Sequence, residues 1–351
     1  MLRGVTKVKR HSRSGATAAC HDGRVIIDGA WYVSGERTLD TDSIDDLAAE
    51  RHKGGSRSGF AWLGLRMPTD DELSDVAKAF DIPELAIADA RHKHDRPKVE
   101  RHDSCLLTVV PTARYVDTRE EVEFGNLFLY AGQDYIVTVR YGQAAPLQGV
   151  RTDLERTPDI MRHGPGAVLQ AALLHVVESY GPVMDGLEND VREVERDVFS
   201  ESRGQPTRRI YFLIREVLDF LIALEPLSSS MKRLTGPECL PWVDPEIVPL
   251  FRDVDEALSA VVERGRTAHQ LLNNALQASM TQAAMKQNED TRRISAWVAI
   301  GVIPTVVAGL FGMNLGGIPG HDHVLGFVSV CAVTLLVSIW LYRRFRKAKW
   351  L

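Results

Sequence analysis

A short stretch near the carboxyl end, Ala308-Gly309-Leu310-Phe311-Gly312-Met313-Asn314, sets small and neutral polar groups where an apolar run from Ile294 to Met313 stops. Followed back at helical steps of three and four, it extends a stripe of Asn288, Thr291, Ser295, Val298, Val302, Thr305, Gly309 and Gly312. Beyond the starting asparagine, nothing on that stripe is larger than valine. On the opposite face stand Trp297, Ile300, Pro304, Val307 and Phe311, bulky and suited to lipid. A row of amides, hydroxyls and exposed carbonyls would offer a passing hydrated cation neutral dipoles, holding its waters rather than the metal. The same small residues, spaced as Gly301, Thr305 and Gly309, also let two helix backbones approach closely. From the pattern alone both readings stand, a pore lining and a packing face.

Two apolar segments would position this stripe. The second, Val324 to Tyr342, follows the loop Leu315 to His323. Each is about 20 residues, the length a helix needs to cross a hydrocarbon core roughly 30 Å thick. Core helices of soluble proteins are seldom apolar all round, so a two-helix C-terminal transmembrane hairpin is expected. Lys286, Arg292 and Arg293 precede the first span, and Arg343, Arg344, Arg346, Lys347 and Lys349 follow the second, while the loop has no Lys or Arg. The positive-inside rule then places both termini in the cytoplasm and the loop outside, in a multi-pass protein of the cell inner (plasma) membrane. A hairpin cannot enclose a pore by itself. Conduction requires a homo-oligomer, with the first spans as an inner ring and cyclic closure as the default geometry.

The chain has 351 residues, of which 25% are charged, and a net charge of -5, so a sizeable polar, soluble part stands beside the lipid bilayer segment. Met1 to Cys20 is basic but lacks the apolar core of a secretory signal, and residues 1–23 read as a disordered tail. The four cysteines, Cys20, Cys105, Cys239 and Cys331, stand far apart and read as unpaired thiols. Neither a phosphate-binding G-x-x-x-x-G-K-[ST] loop nor an H-E-x-x-H helix is present. A coupled pump or a metalloprotease therefore has no support; the chain is not expected to be an enzyme or to bind nucleic acid.

An α/β cytosolic domain is expected over residues 24–165. Its strand-like segments are Arg24–Asp28, Phe60–Leu65, Cys105–Val110, Asn126–Tyr130 and Tyr135–Arg140, the last two joined by a turn at Gly132-Gln-Asp134. Thr69-Asp-Asp-Glu72 is a capping box for a helix running to Phe80, and a second helix spans Ile82–Ala90. Arg51 to Ser58 reads as a loop. Helices follow over 166–249: Ala167–Phe199, then Arg208 to about Leu224, then a proline-broken segment. A stalk helix over 250–313, membrane part 294–313, would be roughly 95 Å long and would need partner helices. The loop 314–323, a second span at 324–342 and a basic tail at 343–351 complete the chain.

Phe311-Gly312-Met313-Asn314 resembles the Gly-Met-Asn signature of the bacterial CorA family of magnesium and cobalt transporters. The likeness extends to Pro304-Thr305, Ala308-Gly309, His94-Asp-Arg-Pro-Lys-Val-Glu-Arg101, Val122-Glu-Phe-Gly125, Val183-Met-Asp-Gly-Leu-Glu-Asn189 and Phe251-Arg-Asp-Val254. The resemblance implies a CorA-like funnel pentamer that admits hydrated Mg²⁺, and also Co²⁺, down the membrane potential. It implies a selectivity filter at Gly312, Met313 and Asn314, with Asn288, Thr305 and Gly309 at pore positions. It further implies that Asp89 and Asp253 bind regulatory Mg²⁺ between subunits and hold the pore shut. Two departures stand out: Ile318-Pro319-Gly320 replaces the family's Met-Pro-Glu, and Ala88 replaces an acidic residue, which leaves a second regulatory metal in doubt. His321, Asp322 and His323 are loop candidates for a cation. With Gly316-Gly317 they keep open the related ZntB architecture, which carries Zn²⁺. A membrane-anchored sensor that conducts nothing is the alternative from another class. The His92-Lys-His94 pair reads as structural or surface.

Overall fold

The computed structural model describes residues 25–53, 59–91, 96–103, 105–200, 206–235, 242–313 and 324–351. The chain divides into two units, residues through Gly186 with Asp219–Gly265, and Leu187–Leu218 with Arg266–Leu351.

The first unit is built on a seven-stranded sheet of β1 (Ile26–Val33), β2 (Glu36–Asp40), β3 (Gly59–Arg66), β4 (Lys98–His102), β5 (Cys105–Val116), β6 (Glu121–Ala131) and β7 (Tyr135–Tyr141), in the order β2-β1-β3-β7-β6-β5-β4. Neighbours are antiparallel except β3 and β7, which run parallel with Ala61 opposite Tyr135. Helices α1 (Ile44–Lys53), α2 (Asp70–Phe80) and α3 (Glu84–Arg91) cover one face. Leu47, Leu73, Val76, Phe80 and Ile87 pack there with Leu63, Val109, Phe128, Tyr130, Val137 and Val139. Short helices α4 (Gln148–Glu155) and α5 (Pro158–Met161) lead into α6 (Pro165–Phe199) and α7 (Pro206–Thr235). On the other face the Tyr180 hydroxyl of α6 donates to the Pro111 carbonyl, and its ring meets Phe220 of α7 edge-on at 5.8 Å. Covered on both sides, β5, β6 and β7 are nearly continuous apolar runs.

Some elements depart from the sequence expectation. β2 and β4 were not expected as strands, because Glu36-Arg-Thr-Leu-Asp40 and Lys98-Val-Glu-Arg-His102 are short and charged. They are the two edges of the sheet, where charge blunts unwanted pairing. α1 reaches into the expected loop as far as Lys53. It has one buried residue, Leu47, but acids in its first turn and bases in its last, which suit the helix dipole. α7 does not stop at Leu224. It continues through Pro226 to Thr235, because Leu224, Leu227, Met231 and Leu234 are all buried and outweigh the lost backbone bond. α2 has the expected capping box, with Thr69 accepting from the Glu72 amide. Cys105 and Cys331 are free thiols, and Cys105 is pushed up to about 11 by burial. Cys20, Cys239, the N-terminal tail and the His92–His94 pair lie outside the described residues.

The second unit is helical. Arg209 at the start of α7 reaches Glu193 at 2.8 Å and Asp190 at 3.5 Å on α6, and the Thr207 and Ser279 hydroxyls are 3.0 Å apart. The rest of α8 (Leu250–Phe311), an unbroken helix of 62 residues despite Pro304, and α9 (Val324–Lys347) complete it. Both are long and apolar enough to cross a membrane.

Candidate cation pathway and regulatory carboxylates

The apolar part of α8 has two distinct sides. Ile300, Pro304, Val307 and Phe311 line an apolar cavity of about 520 Å³ together with Phe327, Val330, Cys331 and Leu335 of α9. The ring centroids of Trp297 and Tyr342 are 6.3 Å apart, and Ala296 is fully buried. The bulky side expected to face lipid is thus the seat of α9, at least in part. Its large side chains line the space between the two helices.

Asn288, Thr291, Ser295, Val298, Val302, Thr305 and Gly309 are all exposed in the single chain. A side-chain carbon added at Gly301 or Gly309 would meet nothing within 4 Å, so nothing in the chain itself demands glycine at either place. The Thr305 hydroxyl donates to the Gly301 carbonyl at 2.9 Å, and that of Thr291 to Gln287 at 2.8 Å. With its proton committed, each hydroxyl turns only lone pairs outward. The helix ends at Phe311, where the Gly312 amide bonds the Ala308 carbonyl at 2.9 Å and Met313 is 48% exposed. Asn314, and with it His321, Asp322 and His323, lie outside the described residues.

The two aspartates that the family resemblance singles out have contrasting settings. Asp253 sits exposed in the first turn of α8, between buried Phe251 and Val254, where a carboxylate suits the helix dipole. Asp89 on α3 is largely covered, its side chain 22% exposed, with Lys98 Nζ at 2.9 Å. Asp89, Glu100 and His102 bring ligand atoms within 4.8 Å of one another, and Asp253 does not join that cluster. Both aspartates offer hard oxygen donors of the kind Mg²⁺ prefers. In the sequence Lys98 stands out only as part of the Arg-Pro-Lys-Val-Glu motif; its pairing with Asp89 depends on β4, a charged edge strand.

Comparison with known proteins matches residues 57–347 to the model of the CorA-like Mg2+ transporter protein family. The Cobalt/magnesium transport protein CorA of Thermotoga maritima is 22% identical over 292 residues, 83% of either chain. The Zinc transport protein ZntB of Yersinia pseudotuberculosis is 22% identical over 328 residues, 92% of this chain and 95% of the relative. The solved CorA magnesium transporter of Methanocaldococcus jannaschii superposes with a TM-score of 0.70 at 18% identity, over 83% of this chain and 92% of that one, a likeness of fold. With a family match across most of its length and the paired apolar helices in place, the chain belongs to the CorA-like family of divalent cation transporters.

Proposed function

We propose that the chain assembles as a homopentamer in the cell inner membrane and admits hydrated Mg²⁺, and also Co²⁺, into the cytoplasm. The observation that carries this reading is the exposed, uncharged α8 stripe, on which Gly309 answers to no contact within the chain. Small side chains there leave room for an ion that keeps its waters, and Mg²⁺ gives up its waters reluctantly. The outward lone pairs of Thr305 and Thr291 accept hydrogens from those waters, and the carbonyl end of α8 adds a favourable dipole at the mouth. Gly312, Met313 and Asn314 form the filter. Inward movement needs no ATP, since the membrane potential supplies roughly 2.3 kcal/mol per charge per 100 mV, doubled for a divalent ion. The basic residues flanking the spans support cytoplasmic placement of both termini.

Closure follows from the carboxylates. Asp89 of one subunit and Asp253 of a neighbour repel each other unless a divalent cation lies between them, so falling cytosolic Mg²⁺ loosens the interface and opens the path.

The test is uptake by purified protein in liposomes with Mg²⁺, Co²⁺ and Zn²⁺ in competition. Mg²⁺ and Co²⁺ flux that Zn²⁺ does not displace supports the reading, and Asn314→Ala is expected to abolish it while the oligomer still assembles. Zn²⁺ preference would favour the second reading, Zn²⁺ carriage, for which the similarity to ZntB and the loop residues His321, Asp322 and His323 speak. Absence of flux for all three ions would leave a membrane-anchored sensor.

A further inference from the structure

Lys98, Glu100 and His102 alternate with buried Val99 along β4, so they share one face of an edge strand, and α3 holds Asp89 against it. Lys98 Nζ lies 2.9 Å from Asp89 Oδ2 and 3.6 Å from Glu100 Oε2. The Lys98 and Asp89 side chains are only 23% and 22% exposed, while Glu100 is 44% exposed. His102 Nε2 stands 3.5 Å from the same Glu100 oxygen. The ammonium group therefore already occupies the carboxylate assigned to cytosolic Mg²⁺, with a second carboxylate within its reach.

We propose that Lys98 is a resident competitor for the cation at Asp89, and that its exchange between Asp89 and Glu100 sets the cytosolic Mg²⁺ concentration at which the transporter closes. This rests on the assignment of Asp89 under the proposed function. Two positive groups a few ångströms apart on one partly buried carboxylate repel strongly, the more so when one is divalent. Loading of Asp89 by a divalent ion thus requires Lys98 to move away. Glu100 provides the place to go, being more exposed and on the same strand face. The exchange breaks no covalent bond and needs no proton transfer. A lysine suits the task because its ammonium is a compact point charge on a flexible stem, whereas a forked guanidinium would hold the carboxylate more rigidly.

The test uses the full-length protein in lipid nanodiscs and two readouts of Mg²⁺, heat of binding and protection from protease, with closure of uptake measured in parallel. Lys98→Met is expected to lower the half-saturating Mg²⁺ about tenfold, since one opposing charge is gone. Glu100→Gln is expected to raise it about threefold, because Lys98 loses its alternative partner. Lys98→Arg, which keeps the charge, is expected to stay at or above the wild-type value. Unchanged or higher Mg²⁺ for Lys98→Met, with the oligomer intact, overturns the proposal, as does a lowered value for Glu100→Gln should Lys98→Met fail to assemble. Asp89→Asn separates the two levels. Unaltered Mg²⁺ dependence in that variant removes the Asp89 assignment and Lys98 with it, whereas lost dependence beside a wild-type Lys98→Met response removes the role of Lys98 alone.

Discussion

In the sheet unit Leu63, Phe128 and Val137 have no exposed surface, whereas in the helical unit Ile294 is 64% exposed, Trp297 59% and Leu325 84%. The apolar windows of α8 and α9 are 6% and 0% buried within the chain. One region finds the partners for its apolar groups in its own sequence. The other presents them outward on two helices whose mutual contact uses only one side. Soluble proteins rarely leave contiguous apolar surface uncovered, so the helical unit finds the cover its own sequence lacks in a bilayer. The difference also separates two reasons for a small residue. Gly29 on β1 has the Thr41 carbonyl 2.5 Å from where a side-chain carbon would stand, so close packing demands it, while Gly309 has open space around it.

That contrast can be broken in four places. The largest effect is expected for Phe128→Ala, which removes a fully buried ring packed at 5.8 Å against Tyr141 and should cost about 3–5 kcal/mol in denaturant unfolding of the sheet unit. A loss below about 1 kcal/mol would show that this core is not what stabilises the unit. Next comes Gly309→Leu, expected to cut uptake by about 100-fold, roughly 2.7 kcal/mol, while leaving the unfolding midpoint unchanged. Equal loss of folding and transport would mean that Gly309 is a packing residue after all. Third, Arg151 is buried over Trp62 at 4.1 Å, with Asp28 at 3.2 Å, and Arg151→Met should destabilise the sheet unit by about 1–2 kcal/mol with transport per folded molecule retained. The smallest effect belongs to Asp244, whose carboxyl is held below the ordinary range by the Glu246 amide and by His163. A depressed carboxylate contributes stability that is complete above about pH 4 and fades as pH falls toward the lowered value. Asp244→Asn should therefore cost under about 0.5 kcal/mol at neutral pH, with the difference vanishing in acid.

Hydrophobic pattern made much of this architecture readable. The central strands β3, β5, β6 and β7 stand out because a strand buried on both faces is apolar throughout, and Thr69 with Glu72 announces α2. The long helix and the hairpin were legible for the same reason, since few other structures tolerate such runs. Edge strands escaped notice because their charges mimic a loop, as in Lys98-Val-Glu-Arg-His102. The sequence ends α7 near Leu224, ahead of Pro226, because a proline is read locally, while the apolar contacts beyond it come from distant sequence. The stripe on α8 was visible from spacing, but only the structure set its bulky counter-face against α9. The Asp89–Lys98 contact was beyond reach, for it depends on an unseen strand meeting a helix.

The two units are interleaved along the chain: Leu187–Leu218 belongs to one and Asp219–Gly265, made afterwards, completes the other. Synthesis must pass beyond Gly265 before the sheet unit has all its parts, and Ile294 follows only 29 residues later. At typical translation speeds that interval is about 1.5–6 s. The segment that completes the sheet unit and the first apolar span thus leave the ribosome within seconds of each other, in that order.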